Sequence, residues 1–263
     1  MYIQKQEFRP GFNDYLRSDA GVGREINMDV QLLILERDDT IRIEEPEKET
    51  AILLFEGTAD AALDGQTRRI SRQDTFRDGA WCIHICAGTP VVLQAREHCE
   101  LYIQKTANER TFPSRIYGPD DVQTVEAGNN GELDGTMRRY IRTFFDYSNA
   151  PYSNMVLGEV LNLPGKWSSY PPHHHPQPEV YFYRFDYPDG FGAGFANGEI
   201  YKTGHNGLLV IQSQFHSQVC APGYPMIYAW GIRHLPGDPW DKTRIDDKEH
   251  TWLLGCTDGM YRK

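Results

Sequence analysis

Residues 165–183 read Gly165-Lys-Trp-Ser-Ser-Tyr-Pro-Pro-His-His-His-Pro-Gln-Pro-Glu-Val-Tyr-Phe-Tyr183, and Asp189-Gly190 follow shortly after. Side chains alternate along an extended segment, so His173 and His175 project from one face and His174 from the other. Pro171 and Pro172 before the histidines, and Pro176 and Pro178 after them, fix φ and exclude helix, which makes a stiff extended frame. Glu179 opens an aromatic and β-branched run expected as a buried strand, which carries its carboxylate toward the same point. Imidazole nitrogens with one carboxylate oxygen suit a divalent transition metal ion (Zn, Mn, Fe or Ni) better than Ca or Mg. The absence of cysteine from the stretch argues against a closed structural zinc site. A fourth ligand is expected from a strand returning alongside, and His216, at the end of the apolar run that begins at Leu208, is the best placed. A merely solvated histidine patch is the competing reading, against which stand the glutamate, the framing prolines and the later histidine.

The rest of the chain narrows the possibilities. Its 263 residues can bury a sizeable core, as one large domain or two smaller ones. A net charge of −10 disfavours nucleic acid or an anionic membrane as partner, since both need a basic face, while leaving room for an anionic substrate in a local basic pocket. There is no apolar run of about 18 residues and no signal-peptide core near Met1, so a cytoplasmic protein is expected. Five cysteines (Cys82, Cys86, Cys99, Cys220, Cys256) are scattered without a CxxC pair and read as free thiols.

From Gln31 onward, short strand-like runs follow one another at close intervals, parted by Gly, Pro and Asp. Thr50–Phe55 precedes an expected turn at Glu56-Gly57, and Asp64-Gly65 is the kind of dipeptide that closes a two-residue hairpin. No long amphipathic helix intervenes. The second half, with runs such as Met137–Phe145, Glu179–Phe185, Leu208–Ile211 and Met226–Ile232, repeats the character of the first. This pattern predicts an all-β protein of two tandem small barrels. Residues 1–127 are the expected first barrel, without metal ligands, and 128–263 the second, which carries them. His84 and His98, unclustered, read as structural or surface residues.

The pattern HxHxxxE with a downstream histidine resembles the two motifs of the cupin superfamily, His173, His175 and Glu179 matching the first motif and His216 the second. Gln212-Ser213-Gln214 replaces the usual Pro-x-Gly ahead of that last histidine. Gly158-Glu159-Val160 with Gly165 to His175, Ala221-Pro222-Gly223-Tyr224, and Trp230 to His234 look like the 5-deoxy-glucuronate isomerase family of inositol catabolism. The related 4-deoxy-L-threo-5-hexosulose-uronate ketol-isomerases share the Glu179–Tyr183 run and a comparable His216 to Gly231 stretch. The resemblance implies a bicupin of jelly-roll barrels. It also implies a metal-dependent aldose–ketose isomerase that converts 5-deoxy-D-glucuronate to 2-deoxy-5-keto-D-gluconate, or acts on the 4-deoxy-uronate.

Such a site leaves one or two metal positions open to substrate oxygens. Tyr181 and Tyr183 share the face of Glu179 and are candidate acids or hydrogen-bond donors, with His205, Arg233 and His234 as further candidates for proton transfer. Arg184 and Arg233 are candidate clamps for a substrate carboxylate. The expected partner is a small deoxy-uronate, with a homo-oligomer in keeping with exposed barrel edges. A metal-dependent dioxygenase is the competing enzyme class, and a sugar-binding barrel without catalysis the non-enzymatic one.

Overall fold

Residues 1–256 are described here from a computed structural model. The chain is nearly all β, with 53% strand and 6% helix. Contacts divide it into two compact units that interleave along the sequence: Gln6–Gln123 with Phe144–Val156, and Met1–Lys5 with Thr124–Thr143 and the described residues from Leu157 onward. The sequence-based division at 127/128 has no such exchanges. They arise because pairing, not chain order, decides membership: the Tyr2–Gln4 strand joins the edge of the sheet that contains Gly207–Ile211.

The unit that begins at Gln6 is built on the 16-residue strand Lys48–Leu63, which pairs antiparallel with Cys99–Ala107 and Trp81–Ile85 at its start and with Gln66–Arg72 and Val91–Ala95 at its end. The expected turn at Glu56-Gly57 is therefore absent. In its place the register slips between Leu54 and Glu56, a bulge that lets one strand serve two sheets. Gly57 has φ +105°, and a Cβ there would lie 2.2 Å from the His98 carbonyl oxygen, so glycine is needed for close approach rather than reversal. The Asp64-Gly65 hairpin forms with both residues at positive φ (49° and 76°), as a type I′ turn requires. Inside lies an aliphatic core of Leu33, Ile52, Leu54, Ala61, Ile83, Leu93, Leu101 and Ile103. His84 is buried, bonded to Glu49 at 2.9 Å and stacked on Phe145 at 3.9 Å, whereas His98 is exposed.

In the other unit, a seven-stranded sheet places Glu179–Phe185 between Gly207–Ile211 and Met226–Arg233. A five-stranded sheet places Trp167–His174 between His216–Cys220 and the short Ile245–Asp246 strand. Every residue of Glu179–Phe185 is buried, as a continuous apolar run on a central strand predicts. Among the described residues no helix is long and apolar enough to cross a membrane.

Candidate metal centre and its cavity

The two sheets of this unit supply the histidines and the glutamate from different strands. His173, near the end of Trp167–His174, sits directly across from His216, the first residue of its own strand, and their ring centroids are 4.4 Å apart. His175 lies just beyond the strand end, and Glu179 opens the central strand of the other sheet. His174 faces the other way and meets Phe215 edge-on at 4.7 Å. Ser213 adopts a left-handed conformation (φ 53°), so Gln212-Ser213-Gln214 bends the chain ahead of His216 without the proline and glycine of the motif it resembles.

His175, Glu179 and His216 bring one ligand atom each within 4.8 Å of one another, all three buried. Both imidazole Nε2 atoms lie 3.3 Å from Glu179 Oε2. Each ring's Nδ1 faces a backbone carbonyl oxygen, Gln177 for His175 at 2.9 Å and Gln214 for His216 at 3.0 Å. A carbonyl oxygen only accepts, so Nδ1 carries the proton and Nε2 turns a lone pair toward the carboxylate. Three lone pairs thus face one another without a proton between them. Glu179 Oε2 and His216 Nε2 are buried with no hydrogen-bond partner. A cation resolves this conflict, and ligand atoms ~3.0–3.4 Å apart are what bonds of ~2.1 Å at tetrahedral to octahedral angles require. The donor set, and the 3.3 Å separation of each imidazole from the carboxylate, therefore fit a transition metal ion. His173 falls outside the three-residue cluster. Its own Nδ1 is 3.4 Å from the Pro171 carbonyl oxygen, and burial, then His216 and Arg244, lower its pKa to about 3.

A cavity of about 340 Å³ opens onto this cluster. His173, His175, Glu179 and Tyr181 line it together with Ser169, Tyr228, Trp230 and Trp240, while Val125, Ile141 and Val160 give it an apolar side and Arg139, Lys242 and Arg244 a cationic one. Tyr181 bonds Ser169 Oγ at 3.1 Å, and Tyr228 bonds Ser168 Oγ at 2.9 Å. Burial raises the pKa of both phenols. The cavity is concave and mostly apolar, with a few convergent polar groups, as small-molecule sites are.

Comparison with known proteins agrees with this picture. Residues 4–253 match the model of the KduI/IolB family. The chain belongs to the KduI/IolB family. Among curated relatives of this family member, a 5-deoxy-glucuronate isomerase of Geobacillus kaustophilus is 22% identical over 244 residues, covering 85% of this chain and 84% of that protein. A 4-deoxy-L-threo-5-hexosulose-uronate ketol-isomerase of Shigella boydii is 26% identical over 208 residues, covering 76% and 72%. In fold, the KduI/IolB chain matches an IolB-like protein of Salmonella typhimurium with a TM-score of 0.84 at 18% identity, over 94% of this chain and 97% of that one. It also matches the oxalate decarboxylase of Lactobacillus farciminis with a TM-score of 0.62 at 11% identity, over 94% and 87%. The fold is that of the cupins, with two barrels in tandem.

Several residues expected at the site of this KduI/IolB protein lie elsewhere. Tyr183 shares the face of Tyr181 but sits further along the strand, buried and bonded to Gln218 outside the cavity lining. Arg184 projects from the opposite face and is buried on Asn206 Oδ1 at 2.7 Å. His205 is engaged with the Phe185 backbone at 2.9 Å, and Arg233 bonds the His234 carbonyl. None of these four lines the cavity. The two arginines follow strands that carry their side chains away from the cavity, so neither is placed to clamp a substrate there. The cations that do line it were missed. Arg139, Ile141 and Thr143 alternate along one strand and all face the cavity, a period-two signal legible within the run Met137–Phe145. Lys242 and Arg244 sit where no periodicity announces them.

Proposed function

We propose that the protein is a sugar-acid ketol-isomerase working with one divalent transition metal ion, which converts 5-deoxy-D-glucuronate to 2-deoxy-5-keto-D-gluconate in inositol catabolism. The ion is held by His175, Glu179 and His216, with His173 as the fourth ligand. The observation that carries this reading is the meeting of three buried lone pairs on a cavity with a cationic side. Membership of a family whose curated members include isomerases of both deoxy-uronates supports it.

Bound there, such an ion polarises a sugar carbonyl and the adjacent hydroxyl as a Lewis acid. Aldose–ketose exchange then moves one proton between neighbouring carbons and one between their oxygens. Tyr181 stands beside the ligand cluster, and burial, then the charge of Glu179, hold its pKa well above the ordinary phenol value. It therefore keeps its proton and donates a hydrogen bond where negative charge develops on a substrate oxygen. Ser169 Oγ, 3.1 Å from that phenol, orients it and provides a second hydroxyl through which an oxygen-borne proton can pass. Ile141 and Val160 offer apolar wall to the carbon skeleton of the substrate.

The Shigella boydii relative favours a second substrate, the 4-deoxy-hexosulose-uronate, for the same chemistry. Metal analysis of purified protein with NMR assays of both deoxy-uronates in deuterated water tests the proposal. Expected are about one metal ion per chain, turnover of one of the two uronates, and its loss on chelation with recovery on adding metal back. No turnover of either compound by metal-loaded protein refutes it.

A further inference from the structure

We infer that Arg139 is the residue that reads the substrate's carboxylate, and so sets the preference of this cavity for sugar acids over neutral sugars. The inference deepens the proposed function and rests on it for the identity of the substrate.

The cavity has three cations, and they differ in circumstance. Lys242 and Arg244 are exposed at its edge, and Arg244 is already engaged with Asp246 at 3.0 Å. Exposed charges are screened by water and salt, which makes them good at attracting an anion and poor at holding one. Arg139 is half-buried in the wall, on the strand Arg139–Phe145. Its Nη1 donates to the Met137 carbonyl oxygen at 2.8 Å, and among the described residues no carboxylate lies within ion-pair distance of it. A guanidinium has five N–H donors in a planar fork, so most of this one's capacity is unspent on the protein.

Leaving a partly desolvated cation without an anion in contact is unfavourable, and burial depresses the guanidinium's pKa, which Glu132 offsets only from a distance. Tyr228, Arg244 and Tyr181, which also line the cavity, act on it electrostatically, and the Glu132 carboxylate does so from beyond ion-pair distance, so among the described residues the fork itself has no anion in contact with it. The group that satisfies all of this is a planar anion with two acceptor oxygens, arriving with the ligand. A carboxylate bound to the fork by two parallel bonds meets that description. Two residues further along the same face, Ile141 contributes apolar surface, suited to a carbon without a hydroxyl.

The test uses the full-length, metal-loaded protein. D-Gluconate and D-glucitol, an open-chain acid and its uncharged counterpart, are titrated calorimetrically against wild type, Arg139→Gln and Arg139→Lys. Wild type should bind gluconate at least ~10-fold more tightly than glucitol, and Arg139→Gln should erase most of that preference, a buried charge-assisted pair being worth this much or more. Arg139→Lys should keep part of it, because the charge remains without the fork. Metal content should stay at the wild-type level in both variants, which separates loss of the anion site from loss of the metal. On the deoxy-uronate that wild type turns over, Arg139→Gln should raise KM by ~100-fold and lower kcat by much less.

Absence of a carboxylate preference in wild type, or its survival in Arg139→Gln, overturns the assignment. Should wild type discriminate gluconate through Arg139 yet isomerise neither deoxy-uronate, the isomerase reading fails while the anion site stands.

Discussion

At the level of single residues, the candidate metal cluster depends on which nitrogen of each imidazole carries a proton. Backbone carbonyls of Gln177 and Gln214 take the Nδ1 protons of His175 and His216, and this alone aims both Nε2 lone pairs at Glu179. Removing one of the three donors leaves the others unable to enclose a cation. His216→Ala should therefore reduce metal affinity by more than the ~10–100-fold typical of changes that merely loosen a ligand's support. His173→Ala is the more informative change. As a fourth ligand His173 should cost a clear but smaller loss, and unchanged affinity in competition with a chelator would remove it from the set. The shared face of His173 and His175 was legible in the sequence because their spacing follows the period of a strand, whereas the approach of Glu179 and His216 depended on which strands return alongside. The role of Arg139 was not legible either, since an arginine in an alternating strand has the same local pattern whether it faces a cavity or the solvent.

Secondary-structure elements carry these residues to their places, and their packing explains motif positions that are not ligands. Gly158, in the stretch Gly158-Glu159-Val160, has the Trp230 indole against its Cα: a Cβ there would lie 2.4–2.6 Å from three indole atoms. Trp230 in turn lines the cavity, so the glycine shapes the site from behind. Gly158→Ala should push the indole into the cavity and cost roughly 1–3 kcal/mol. The expected signs are a lower Tm, a shifted tryptophan fluorescence spectrum and ~10-fold lower kcat/KM. Wild-type fluorescence together with wild-type kinetics would show that the indole is not held there. Strand-like runs were read soundly over Glu179–Phe185, Leu208–Ile211 and, one residue short, Met226–Ile232. Glu56-Gly57 was misread as a turn, because a glycine at a bulge and a glycine at a turn both need positive φ and look alike in sequence.

For the molecule as a whole, membership in the two compact units follows pairing between distant segments. Tyr2–Gln4 pairs with Gly207–Leu209, and Tyr2 lies 6.2 Å from the Tyr201 ring and 6.5 Å from Tyr183, close against Gly207. Removing residues 1–5 uncovers the edge of the sheet that holds Glu179. The loss of three cross-strand pairs should amount to roughly 1–2 kcal/mol, or about 2–8 °C in Tm. Metal affinity should change little, because the Gly207–Ile211 strand still separates the uncovered edge from Glu179. A strand that mattered to neither quantity would leave Tm unchanged.

The sequence by itself determined the all-β character and the alternating faces that set His173 and His175 on one side of an extended segment, because each depends on near neighbours in the chain and on the strand period. Tertiary structure alone decided which cations share the cavity, that Arg184 and Arg233 point elsewhere, and that the first residues complete a distant sheet. Those outcomes depend on which strands become neighbours, and pairing between segments some 200 residues apart leaves no local signature.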